Sequence, residues 1–490
     1  MNELYYQSPE PPKPFPFGKR ELILVPLLCI ACLLAVNFTF FGGFHLGFAL
    51  GTALCILTGF FYLLANGAKP SAYSLTILIL CLVIAAGFGR SNDGFVKFVL
   101  AQFLFLGVNL SFSLLSGKSR FAPGCFSSLG DSFVAFFGMG FGKLNPAFRG
   151  LVQSLRQSGK LGRGLGSVLL GFCIALPILL LVVPLLVSAD AAFDGLVSLL
   201  PQFNLEELLT TLIFGGFLFC LLFSRNTGLV HSQTEPAAQK PTRGLSAVTV
   251  ITALSAVCVV YLAYLLSQLA YFVGGFSGLL PEEYTLAEYA RRGFFEMAAL
   301  CGINLGIIAL CLAIVKKEGT APLAVRVLCL FVGLVTLFLV TAASAKMFLY
   351  IESYGLTQLR LLTQIVMLFL AITTGVVCLW LFIPKLPYMK VVVLAALIIG
   401  AMVIWADVDS TVAGYNVEAY LSGRLQHIDV WHLGDLGTGA VPHIVRLREE
   451  AKDPNVVRAA NTILSECRLP QWDLRSWNWS IQQAFNSLSK

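Results

Sequence analysis

The chain has 490 residues, 57% hydrophobic and 12% charged, with mean hydropathy +0.81 and formal net charge +7. Soluble domains carry about 25% charged residues. Half that share excludes a soluble globular enzyme, a disordered chain and a nucleic-acid binder. A run of ~20 apolar residues is long enough to cross a bilayer, and about eleven such runs follow one another here.

The polar segment 1–21 contains Pro9, Pro11, Pro12, Pro14 and Pro16 and cannot hold a regular helix. The spans predicted after it are 22–40, 46–65, 72–89, 95–115, 165–187, 206–224, 245–272, 294–315, 323–345, 361–383 and 389–405. No small-residue cleavage site follows the first, so it reads as a retained span. Spans 1 to 4 fall within 22–115 and spans 5 to 11 within 165–405. Lys and Arg gather in cytoplasmic loops. With the N-terminus in the cytoplasm, nineteen of the 33 Lys and Arg fall inside, six in outer loops and eight in the tail. The expected address is therefore a bilayer, with the N-terminus cytoplasmic and the C-terminus extracytoplasmic.

Two polar segments interrupt or follow the spans. The cytoplasmic loop 116–164 carries Leu144, Phe148, Leu151, Val152 and Leu155 at helical spacing, with Arg149, Arg156, Lys160 and Arg163 on other faces. That pattern suits an amphipathic helix on an anionic leaflet. Phe133 to Phe141 is apolar but too short to cross. The tail 406–490 reads as a small helical extracytoplasmic domain docked on the outer loops. In it, Asp453-Pro454 forms a helix start, Val456, Val457, Ala460, Ile463 and Leu464 form an apolar stripe, and a terminal helix is expected over Leu474 to Leu488.

Ionisable groups are scarce in mid-span, where they are costly. They collect in four stretches that share the outer side under this topology. One contains Asp190 and Asp194. A second contains Glu288, Arg291, Arg292 and Glu296. A third runs from Lys346 through Tyr350, Glu352 and Tyr354 to Arg360. The fourth contains Asp407 and Asp409. On a helix Lys346, Tyr350 and Tyr354 share a face, and Gly355 permits a turn. Unpaired charge in so apolar a setting is expensive, so Lys346, Glu352 and Arg360 are expected to pair with one another or with Asp190, Glu296 or Asp407. The set reads either as an ion-pair network locking the spans or as a pocket for an anionic ligand or lipid head group.

Other motifs are weaker. Asn37, Asn109, Gln268 and Asn304 suit interhelical hydrogen bonds, and Gly47-x-x-x-Gly51 is a close-packing motif. Cys29-x-x-Cys32 sits in an apolar helix and reads as packing. All but Cys125 and Cys467 of the thirteen cysteines lie in predicted spans. His427, His432 and His443 have irregular spacing for a metal site. Gly138-x-Gly140-x-Gly142-Lys143 lacks the spacing of a phosphate loop. No catalytic signature, metal site or cofactor is expected.

The stretches "SADAAFDGL", "YTLAEYARRGFFE", "LYIESYGLTQLR", "VDSTVAGYNVEAYL" and "DLRSWNWS" resemble the bacterial polytopic membrane proteins that carry a domain of unknown function of the 4153/4173 type. The likeness runs from about Gly166 to Trp479 and is most specific at Tyr354-Gly355-Leu356-Thr357-x-x-Arg360. It implies a multi-pass protein of the bacterial plasma membrane and supplies no reaction. The expectation is an all-α polytopic membrane protein. It is read as a non-enzymatic transport or sensory component that binds a ligand, lipid or envelope or signalling partner at the outer charged cluster. The alternatives are a membrane enzyme acting on a lipid-linked or envelope substrate, and an assembly scaffold.

Overall fold

The computed structural model describes residues 18–117, 126–142, 182, 204–231, 244–276, 294–315, 322–469 and 473–489. The expected span 165–187, the amphipathic helix of 144–163, and Asp190, Asp194, Glu288, Arg291 and Arg292 lie outside them. Among the described residues the fold is helical, with no strand. The first part holds α1 (Lys19–Gly42), α2 (Leu46–Ala65), α3 (Ala72–Gly87), α4 (Gly94–Leu115), α5 (Phe126–Gly142) and α6 (Leu205–His231). The second holds α7 (Ala247–Phe276), α8 (Phe294–Ile314), α9 (Leu323–Tyr354), α10 (Gln358–Phe382) and α11 (Tyr388–Ala406). The tail holds α12 (Val408–Leu421), α13 (Val430–Asp435), α14 (Val441–Glu450), α15 (Pro454–Glu466) and α16 (Trp479–Leu488).

Nine of these helices are long and apolar enough to cross a membrane, and α3, with 16 residues, is a shorter apolar helix. The chain is a multi-pass membrane protein. Large apolar side chains face outward along the bundle, among them Phe95 and Phe98 of α4 and Leu359 of α10. Such a surface is stable against hydrocarbon, where backbone groups must be satisfied within the helix.

Local chemistry sets the helix starts. Ser71 accepts from the Ser74 N–H, Asp93 from Val96 and Thr357 from Arg360, each closing an amide left open by the first turn. Asp453 does the same for Asn455, with Pro454 at the first helical position of α15. The last helix starts later than its periodicity predicts. Asp473 accepts from the N–H groups of Arg475 and Ser476, which folds 473–476 into a turn, and Asn478 then caps α16.

Packing joins the tail to the bundle. One apolar core runs from Ile77, Ile84, Leu100 and Ile404 through Val412 into Leu433, Ile444 and Ala460 of the tail. A second joins α7, α8, α9 and α10 through Leu254, Ile308, Val332 and Leu381, and a third joins α1, α2 and α6. The Gly47-x-x-x-Gly51 motif lets α1 and α2 close together. A Cβ at Gly51 would stand 2.4 Å from Cα of Ala35. Asn304 of α8 donates to Thr336 of α9 at 3.0 Å, and Asn37 of α1 donates to Glu207 of α6 at 2.8 Å. The described cysteines are free.

Candidate functional site

Helix α4 opens Asp93-Gly94-Phe95-Val96-Lys97, which puts a carboxylate and an amine one turn apart. In the fold both are buried: Lys97 is 2% exposed and Asp93 7%. Asp407 and Asp409, at the junction of α11 and α12, converge on the same place and are 2% and 4% exposed. The charges of Asp407, Asp93 and Asp409 act on Lys97, yet none makes a direct ion pair with it among the described ion pairs. The Lys97 Nζ instead lies 3.2 Å from Nδ1 of His45, the residue before α2. Since an ammonium only donates, Nδ1 is the acceptor. Burial, reinforced by the charge of Lys97, pulls the His45 imidazole down to about 4 and keeps it neutral.

Asp407 is the junction itself. It ends α11 and precedes α12 with no loop between, at φ 54 and ψ 91. Among the described residues it is the one non-glycine with positive φ. That conformation is costly for a side chain with a Cβ and persists only when its surroundings impose it. Its Oδ1 is buried and has no hydrogen-bond partner. Burial raises the Asp407 carboxyl, against the hydroxyls of Ser480 and Ser91 and the charge of Arg90. Gln358 donates to Asp409. Burial, with repulsion from Asp93 and Asp407, pushes the Asp409 carboxyl up to about 7 despite that bond. Among the described residues no group of three His, Cys, Asp or Glu side chains is arranged to hold a metal ion.

The tail closes this end of the bundle with hydrogen bonds that the helices leave open. Leu46 and Gly47, whose amides lack partners at the start of α2, donate to the carbonyls of Trp477 and Arg475 at 3.2 and 3.0 Å. Trp479 N–H donates to Gly89 at 2.8 Å, and Asn478 Nδ2 donates to the Ser91 carbonyl at 2.6 Å. Asn92 donates to Thr438 Oγ1 at 3.2 Å. Arg475 pairs with Glu207 of α6. The buried cluster therefore has α3, α4 and α11 beneath it and the tail above.

The residues expected to form one charged cluster divide. Arg360 pairs with no carboxylate among the described ion pairs. It donates to the carbonyls of Tyr354 and Gly355, and its guanidinium stands 4.0 Å from the ring centroid of Tyr350. Carbonyls left open where α9 ends accept from its guanidinium. Tyr350 and Tyr354 are 5.2 Å apart between centroids. Lys346 lies two turns earlier on α9, half-buried, and Glu352 and Glu296 are exposed. Asp407 belongs to the Lys97 cluster instead. The two groups are linked through Gln358, which follows the Tyr354–Thr357 corner and reaches Asp409.

Asp93, His45, Gln358 and Asn478 are not among the residues that the sequence singles out, and Lys97 falls inside the span predicted over 95–115. Asp93-x-x-x-Lys97 and Asp407-x-Asp409 were the available signals. The span predicted over 206–224 stops short of the observed α6. The helix continues to His231 and buries Arg225 to 4% exposure.

Residues 22–447 match the family described as "Domain of unknown function (DUF4153)". The match takes in the first four spans and stops before "DLRSWNWS". No curated protein and no solved structure matches the chain.

Proposed function

The chain belongs to the DUF4153 family, and from that premise we propose that it is a non-catalytic sensory or transport component of the bacterial plasma membrane. In this reading the occupant of the Lys97–Asp93–Asp407–Asp409 cluster is a proton. Its arrival or departure alters how firmly the tail docks. The observation that carries the reading is Asp407, a strained, buried carboxylate with an unpartnered Oδ1 at the one-residue joint between bundle and tail. Strain and an unsatisfied buried acceptor are features that folding alone does not select.

The test is hydrogen exchange on the full chain in lipid nanodiscs, between pH 5 and pH 8. Protection of residues 408–421 and 473–489 should change with pH, and Asp409→Asn should remove most of that change. Protection that ignores pH would sink the reading.

The proposed orientation, with the N-terminus cytoplasmic and the tail outside, is supported by the bias of Lys and Arg. In a background lacking Cys467, Asn486→Cys should react with a membrane-impermeant thiol reagent on intact cells. Reaction only after lysis would reverse the orientation.

A further inference from the structure

The opposite end of α4 lines a second, separate feature. A cavity of ≈ 320 Å³ lies among α1, α2, α4, α5 and α6. Helix α4 borders it from Ala101 to Phe112, so it runs roughly 16 Å along the helix axis. Its length is apolar, with Ala101, Leu104 and Leu218 on its walls. Its end is polar, with Asn109, Arg225 and Asn226.

These three polar residues are buried and poorly served. Arg225 lies 4.5 Å from the Phe112 ring centroid, and its Nη2 reaches the Val108 carbonyl at 3.5 Å. No carboxylate pairs with it among the described residues. A guanidinium has five donors, and burying its charge without a counter-charge is expensive. Asn109 spends its Nδ2 on the Phe105 carbonyl at 2.7 Å. Its Oδ1 and that of Asn226 are buried without partners. Gly59 makes room for this arrangement, since a Cβ there would stand 2.7 Å from Phe112 and 3.0 Å from Asn226.

The missing partner is thus defined by chemistry. It brings a negative charge for Arg225, N–H or O–H donors for two amide oxygens, and an apolar chain for the slot. We infer that the slot binds a phospholipid, with its phosphate on Arg225, a donor-bearing head group such as glycerol on Asn109 and Asn226, and one acyl chain along α4. Arg225 precedes the end of α6 by six residues, or about 9 Å, so the polar end of the slot lies toward one end of the span, as a head-group site requires. A choline head group, having no N–H or O–H, leaves both amide oxygens unserved.

Native mass spectrometry of the full chain in detergent tests this with phosphatidylglycerol, phosphatidylcholine and inorganic phosphate as probes. The expected result is saturable binding of phosphatidylglycerol at one site, with phosphatidylcholine weaker by about tenfold or more, and no displacement by inorganic phosphate. Arg225→Gln should weaken phosphatidylglycerol binding by a similar factor. Ala101→Phe fills the slot without touching the polar end and should weaken it too, so the test survives if Arg225→Gln does not fold. Three results each overturn the inference: unchanged binding in Ala101→Phe, equal binding of the two lipids, or displacement by inorganic phosphate, which would mark a head-group anion site without a chain slot.

Discussion

Leu356 and Asn416 hold each other at both ends. The Leu356 N–H donates to Asn416 Oδ1 at 2.7 Å, and Asn416 Nδ2 donates back to the Leu356 carbonyl at 2.7 Å. An amide side chain of α12 thereby stands in for the strand or helix partner that the α9–α10 corner lacks. Asn416→Leu would leave two buried backbone groups unserved, at ~1–3 kcal/mol each. Thermal unfolding of the protein in nanodiscs should show a loss of that order, and an unchanged midpoint would mean the corner is held by other contacts.

Gly355 offers a matched comparison with Gly423. Both have φ +77, but a Cβ at Gly355 would stand 2.7 Å from Asn416 Oδ1, whereas a Cβ at Gly423 meets nothing within 4 Å. Both alanine variants incur backbone strain of ~1–2 kcal/mol. Gly355→Ala adds the displacement of Asn416, so its unfolding midpoint should fall below that of Gly423→Ala.

The strain at Asp407 can be measured the same way. Asp407→Gly and Asp407→Ala both remove the carboxylate, and only glycine accepts φ 54 freely. The glycine variant should be the more stable of the two by ~1–2 kcal/mol. Equal stabilities would show that the junction relaxes to an ordinary conformation once the carboxylate is gone.

Much of this architecture is legible along the chain because it rests on local rules. Apolar runs mark α1, α2, α4 and α6 to α11, and Asp453-Pro454 marks the start of α15. The candidate site is less legible, because it depends on what covers a residue. Lys97 reads as one charge at the edge of a predicted span until the tail, hundreds of residues later, closes over it. Arg360 reads as half of an ion pair because carbonyls at a helix end leave no trace in composition. Arg225 looks like the first residue past a span, yet α6 continues, and Phe112 and Phe136 from elsewhere in the chain flank its guanidinium.

The buried cluster also makes stability depend on pH in two opposed ways. The Asp409 carboxyl, near 7 in the fold and 3.8 ordinarily, holds extra protons between those values. Its contribution is favourable in acid and is lost as pH rises from about 4 to 7. His45, near 4 in the fold and 6.5 ordinarily, binds fewer protons than the unfolded chain between those values. Its contribution grows as pH rises through that range. The two act in opposite directions. Asp409→Asn should therefore show stability rising from pH 4 to 6.5 relative to the wild type, and His45→Gln should show it falling. Parallel curves for all three proteins would place neither titration in the fold.

The passage from α11 to α12 through Asp407 alone has a mechanical consequence. A flexible linker would absorb a twist or tilt of the preceding helix. A single constrained residue acts as a crank, so a rotation of α11 within the bilayer must swing α12 through an arc. Since α12 also grips the α9–α10 corner through Asn416, that swing pulls on a second pair of spans. Torque applied at one membrane helix thus reaches its neighbours by way of a lever that lies outside the bundle.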